Sequence, residues 1–207
     1  MASRTPTSPL PALTTQLREA TATLRDDREL LAGRVTPADY RTYLLRMYGF
    51  HANVERALKS CRPLAAVVAD APLRNHKAAL IAHDLIALGV EHCELVTSPR
   101  MTFPGALALP EALGWTYAVE AIAFGGKQLA RHLARQLPAE LARASAYLGC
   151  YGGEAAERWR ELGERLDGFE HAVRDADRVV AAARDGFTQL RAWVRPALQP
   201  RSSRIHA

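Results

Sequence analysis

Lysine is scarce in this 207-residue chain: Lys59, Lys77 and Lys127 are the whole complement, beside 24 arginines. Cysteine is scarce too. Cys61, Cys93 and Cys150 are odd in number, and their spacings fit neither a zinc site nor a disulfide framework, which points to a reducing compartment. Nowhere do eighteen apolar residues run together, and the opening MASRTPTSPLPAL holds no apolar stretch of signal-peptide length. Secretion and membrane insertion are therefore not expected, and a cytoplasmic protein is. No segment alternates apolar and polar residues as a half-buried strand does, so a sheet is not expected either. The sequence lacks HExxH, GxSxG, Walker A and GxGxxG motifs, which removes the usual support for hydrolase and nucleotide chemistry. It also lacks the Glu-x-x-His pairs of a di-iron bundle.

What is present is ordinary globular composition, 48% hydrophobic and 24% charged, at a length that suits one domain. The net charge of +5 and pI near 9.4 raise the question of an acidic partner. The bases are spread along the chain and alternate with acids, however, so nucleic-acid binding is not expected and a solvated, salt-bridged helical surface is. Arginine over lysine with abundant alanine reads most simply as a coding bias of the source genome. It leaves open a local arginine cluster facing a carboxylate-bearing ligand.

Apolar periodicity is helical almost throughout, which predicts an all-α, single-domain, multi-helix protein. Residues 1–12, with three prolines, read as a disordered lead-in, 13–195 as one helical domain and 196–207 as a tail. The first helix starts near Thr14 or Thr15 and runs to about Gly33. The second has a start signal in Thr36-Pro37-Ala38-Asp39, an N-cap, a proline at N1 and an acid at N3, and runs to about Lys59. A third spans about Leu73 to Leu88 and closes on Gly89. Residues 90–109 read as a long loop. Pro110 opens a long helix interrupted at Gly125-Gly126, a pair that costs roughly 1 kcal/mol per glycine and so needs a packing or functional reason. Short helices follow at 138–147 and 154–166, and a last one from about Gly168 to Val194 ends before Pro196.

Among the histidines, His76 and His83 lie two turns apart beside Asp84, which is half a metal site at most and equally a pair of surface histidines. His132 reads as a surface or packing residue. His51, in the string Tyr48-Gly49-Phe50-His51, has the better functional neighbourhood.

Five segments in order, LREATATLRDDRE (17–29), TPADYRTYLLRMYGFHANVERAL (36–58), DLIALG (84–89), LGWTYAVEAIAFGGKQLARHL (113–133) and YGGEAAERWREL (151–162), resemble the bacterial biliverdin-producing heme oxygenases. The resemblance covers most of residues 15–195. It implies a heme oxygenase-like helical domain that clamps heme between a proximal first helix and a glycine-rich distal helix. It also implies oxidative heme cleavage to biliverdin, CO and iron, with electrons from a ferredoxin, flavodoxin or reductase. The protein's share of that chemistry is an axial imidazole, a close-approaching distal helix and cations that hold the propionates.

Carried over residue by residue, the family pattern LRxATxxxHxxxE places Arg25 at the proximal ligand position, with Glu29 matching the supporting glutamate. A guanidinium has no lone pair to offer iron. The family's distal EGSTLGG is here Glu120-Ala121-Ile122-Ala123-Phe124-Gly125-Gly126, with a methyl at Ala121 where the family has its first close-approach glycine. Arg18 and Arg160 match propionate cations, and Tyr117 matches the distal-helix tyrosine. The implied ligand-binding set is thus Arg18, Arg25, Glu29, Tyr117 and Arg160, with Ala121, Gly125 and Gly126 on the distal helix. No metal ligand stands in the family's position, and His51 is the substitute axial ligand on offer. Two functions remain open at this point. One is a working heme oxygenase ligated from elsewhere; the other is a non-catalytic homologue that binds heme, biliverdin or another tetrapyrrole, or acts through a protein partner.

Overall fold

The computed structural model describes residues 12–24, 31, 33–70, 74, 76–103, 105–169 and 173–198. Helix α1 (Leu13–Thr21) gives way to a 3₁₀ turn at Ala22–Leu24. The α-helix stops short of the expected Gly33 because Thr21 and Thr23 are poor helix formers, and the Thr21 hydroxyl donates back to the Leu17 carbonyl at 2.7 Å. Helix α2 (Pro37–Ser60) begins as the cap signal predicts. Asp39 N–H donates to Thr36 Oγ1 at 3.2 Å, and Thr36 N–H donates to Asp39 Oδ2 at 2.9 Å.

Helix α3 (Leu64–Val67) is short, and α4 (Lys77–Ala87) starts where the Glu55 carboxylate accepts the Ala78 N–H at 2.9 Å. It ends at Gly89, whose φ of +84° is that of a C′ glycine. The expected loop 90–109 contains a helix, α5 (His92–Thr97), which apolar periodicity missed because it is under two turns long.

Helix α6 (Leu109–Leu133) is the centre of the molecule, buried on every side from Ala112 to Ala123. It runs unbroken through Gly125-Gly126, contrary to the expected interruption. Helix α7 (Pro138–Arg143), a 3₁₀ turn at Gly152–Glu154 and α8 (Ala155–Asp167) lead to α9 (Val173–Leu198). The last helix carries Pro196 within its final turn, where one N–H is lost near the helix end and Leu198 still packs on the core, so the helix passes the proline expected to end it. Helices α6 and α9 form the main packing interface of the fold. They meet at Gly114, where a Cβ would lie 2.2 Å from the Val179 carbonyl oxygen, so only glycine allows the backbones this close. Among the described residues the fold is all-α, and no helix is long and apolar enough to cross a membrane.

Candidate functional site

Helix α1 has Ala12 at its N-cap, which offers no side-chain oxygen, and the cap is supplied from 153 residues away. Asp167, the last residue of α8, accepts the Thr14 N–H at 2.8 Å and the Thr14 hydroxyl at 2.7 Å. This ties the start of α1 to the end of α8. Beneath the junction lies a cavity of about 470 Å³, lined among the described residues by Thr14, Arg18, Tyr117, Trp159, Arg160, Leu162, Gly163, Glu164 and Asp167.

Three residues singled out in the sequence, Arg18, Tyr117 and Arg160, therefore line one space. Arg18 stands one turn beyond the Thr14–Asp167 junction and makes no ion pair among the described residues. Arg160 differs: its guanidinium donates to Glu157 and Glu164 on its own helix, and those bonds raise its pKa further above the ordinary arginine value. Its charge is neutralised locally. Tyr117 is buried in the wall from α6, and its ring centroid lies 5.2 Å from that of Trp159. The indole in turn stacks on Phe124 at 5.5 Å and 22°. The lining thus combines aromatic and aliphatic surface with two cations, Arg18 and Arg160, and two carboxylates, Glu164 and Asp167.

The glycine pair of α6 splits in role. A Cβ at Gly126 would sit 2.5 Å from the Leu148 carbonyl oxygen, so Gly126 exists for packing against the 145–149 turn. Gly125 has no described atom within 4 Å of that position and faces open space. Ala121, Ile122 and Ala123 are buried, and none of Ala121, Gly125 and Gly126 is among the cavity lining.

Beside this strip, Glu120 points into an ionic cluster with almost no exposure. Lys77 Nζ donates to Glu120 Oε1 at 2.7 Å, Arg74 Nη1 to Oε2 at 3.2 Å, and the Tyr151 hydroxyl reaches both oxygens at 2.9–3.0 Å. Arg74 also donates to Asp70 Oδ2 at 2.8 Å. Burial first and the Glu120 carboxylate second push the Tyr151 phenol well above its ordinary value, which keeps it a donor. The cluster joins α4, α6 and the turn before α8, with each charge hydrogen-bonded.

His51 corrects the expectation of a substitute ligand. It lies in the core, fully buried, with Nε2 at 3.0 Å from the Tyr147 hydroxyl and Nδ1 without a hydrogen-bond partner. Burial first and Lys77 second hold its pKa well below the usual 6.5, so the ring is neutral. It does not line the cavity. Arg25 and Glu29 lie outside the described residues. Sequence reasoning overlooked Trp159, Asp167 and the Lys77–Glu120 pair. Trp159 had a signal, since it heads a stripe with Leu162 and Leu166 on α8 that turns inward. The other two are long-range pairings with no local signal.

No curated protein matches this sequence. Among solved structures, the fold matches the NO- and CO-bound heme oxygenase from Neisseria meningitidis with a TM-score of 0.73 and 20% identity, covering 91% of this chain and 93% of that one. That likeness is one of fold. The heme oxygenase family model matches residues 7–196, which takes in all of the helices described above except the last two residues of α9, and both walls of the cavity, and the chain belongs to the heme oxygenase family.

Proposed function

We propose that this protein binds a planar, carboxylate-bearing tetrapyrrole, heme or its open-chain product biliverdin, between α1, α6 and α8, and that it does not turn heme over. The observation that carries the reading is the meeting of Arg18, Tyr117 and Trp159 around one cavity of about 470 Å³, a volume within the roughly 300–1,000 Å³ typical of ligand sites. Arg18 supplies a planar fork of donors for a carboxylate, and its charge is not already matched by a neighbour. Tyr117 and Trp159 supply aromatic surface for a conjugated ring.

Heme, when bound, brings iron able to activate oxygen, and that chemistry needs an axial donor from the protein. Arg25 stands where the family holds its histidine and has no lone pair to give. His51 is sealed in the core and would have to abandon Tyr147 to reach any ligand. A guanidinium at position 25 favours a carboxylate or the face of a π-system over a metal.

Titration of the purified protein with hemin and with biliverdin, followed by absorbance and then by reduction under CO, tests the reading. Saturable binding is expected, with no biliverdin or CO formed under reductant and oxygen, and with a hemin spectrum unchanged in His51→Ala. Arg25→His is expected to install a histidine-ligated Soret band. Turnover by the unaltered protein, or failure to bind either tetrapyrrole, overturns it.

A further inference from the structure

A second hollow, of about 600 Å³, lies between α2 and α4, and among the described residues it shares no lining residue with the cavity of Arg18. Its α4 side is made of Ala78, Ala79 and Ala82, to which Ala52 of α2 adds a fourth methyl. Methyl groups reach little beyond the backbone, so the space above them stays open. The longer side chains stand on the rim. Arg56 and Lys59 are three positions apart on α2, hence neighbours on one side of that helix, and both are exposed. Arg100 joins them from the segment that follows α5. Its guanidinium lies over the Tyr48 ring, 4.2 Å from the centroid, and its Nη2 donates to the Leu95 carbonyl at 3.3 Å. This cation is therefore held in place before any ligand arrives.

Arg56, Lys59 and Arg100 make no ion pair among the described residues. The described lining holds a single carboxylate, Glu55, which is 5% exposed and accepts the Ala78 N–H at 2.9 Å. Glu55 thus answers the start of α4. Other arginines of this surface behave differently, since Arg41, Arg158 and Arg178 each sit on a carboxylate. The salt-bridged surface expected from the sequence is interrupted here, where three cations gather around one hollow.

We infer that the hollow between α2 and α4 is an anion site distinct from the tetrapyrrole cavity, and that it takes a small, flexible polyanion with two or more carboxylate or phosphate groups. Two guanidinium forks and an ammonium engage several oxyanion groups at once, and one of the forks is already oriented by Tyr48 and Leu95. The alanine floor gives a short chain room to lie between them. A ligand carrying an aromatic base gains nothing from stacking, because the Tyr48 ring of the lining already carries Arg100. The inference rests on this hollow alone and stands whether or not the protein binds heme.

Calorimetric titration of the full chain at physiological ionic strength, with citrate, inorganic pyrophosphate and acetate, tests it. Citrate or pyrophosphate is expected to saturate one site while acetate does not, and the tighter of the two tells carboxylate from phosphate as the preferred group. Arg56→Gln, Lys59→Gln and Arg100→Gln, each confirmed folded by its thermal transition, are expected to weaken that binding by roughly threefold to tenfold. Arg135→Gln removes the same unit of charge from an exposed position outside the hollow and is expected to leave affinity within about twofold, because salt screens distant charges. If Arg100→Gln does not fold, the two α2 variants carry the test. No saturable binding of either polyanion overturns the inference, as does an equal loss from Arg135→Gln and Arg56→Gln. A signal abolished by Arg18→Ala and kept by all the folded rim variants places the anion in the other cavity and overturns it too.

Discussion

Glu120 and Ala121 are neighbours in the chain and stand in opposite kinds of environment. Glu120 is held in a buried cluster by Arg74 and Lys77, before and at the start of α4, and by Tyr151 before α8. Ala121, one step on, lies on the strip shared with Tyr117 and Phe124, whose rings pack on Trp159. A 100° step around one helix separates a buried ionic cluster from an aromatic strip that borders the cavity at Tyr117. The difference teaches that α6 can change on its ligand face without losing its place, because its position is set from the other side.

The largest effect is expected on the scaffold side. Glu120→Ala leaves Arg74 and Lys77 buried without their shared carboxylate, which costs about 3–5 kcal/mol. That corresponds to a Tm lower by roughly 6–20 °C for a chain of this size. If thermal melting shows Glu120→Ala to be as stable as the unaltered protein, the comparison breaks.

The glycine pair sharpens it within two adjacent residues. Gly126→Ala drives a methyl into the Leu148 backbone and is expected to destabilise by about 1–3 kcal/mol. Gly125→Ala meets open space and is expected to stabilise by about 0.5–1 kcal/mol through helix propensity. Denaturant unfolding of both variants reads the two signs, and equal signs would remove the distinction between a packing glycine and an open one.

His51 belongs to the scaffold by this division, buried in the core with Nε2 at 3.0 Å from the Tyr147 hydroxyl. Its folded pKa is depressed, so unfolding takes up a proton at any pH between the folded value and about 6.5. Stability contributed by the neutral ring is present above pH 6.5 and is lost as pH falls toward the folded pKa, by about 1.4 kcal/mol per pH unit for one proton. Unfolding free energies from pH 7.5 to 5 should show this slope, and His51→Gln should flatten it.

The smallest effect is expected on the ligand side. Arg18→Ala removes an exposed cation and is expected to weaken hemin or biliverdin by roughly threefold to fivefold, with an unchanged Tm. Arg160→Ala is expected to leave affinity closer to unaltered, since Glu157 and Glu164 already engage that charge. Equal losses from both would show that the local pairing of Arg160 yields to the ligand.

Features encoded within a few residues were legible in the sequence. The Thr36 cap, the Pro110 start and the Gly89 stop act over one turn, and each falls where expected. Arg18, Tyr117 and Arg160, singled out by the family resemblance, line one cavity although no local signal joins them. Helix α5 escaped because six residues are too few to show a period. The break expected at Gly125-Gly126 is absent because burial of Ala112–Ala123 before the pair and of Leu129 and Leu133 after it outweighs a propensity cost of about 1 kcal/mol per glycine. The Lys77–Glu120 pair and the Thr14–Asp167 cap join residues 43 and 153 positions apart, and no local pattern encodes such partners.

The remote cap on α1 has a consequence in time. Helix α1 leaves the ribosome well before α8 and α9, on which it chiefly packs, and its N-terminal hydrogen bonds wait for Asp167. The wall carrying Arg18 is therefore docked only after α8 and α9 have been synthesised, so the cavity between the two walls closes late in folding.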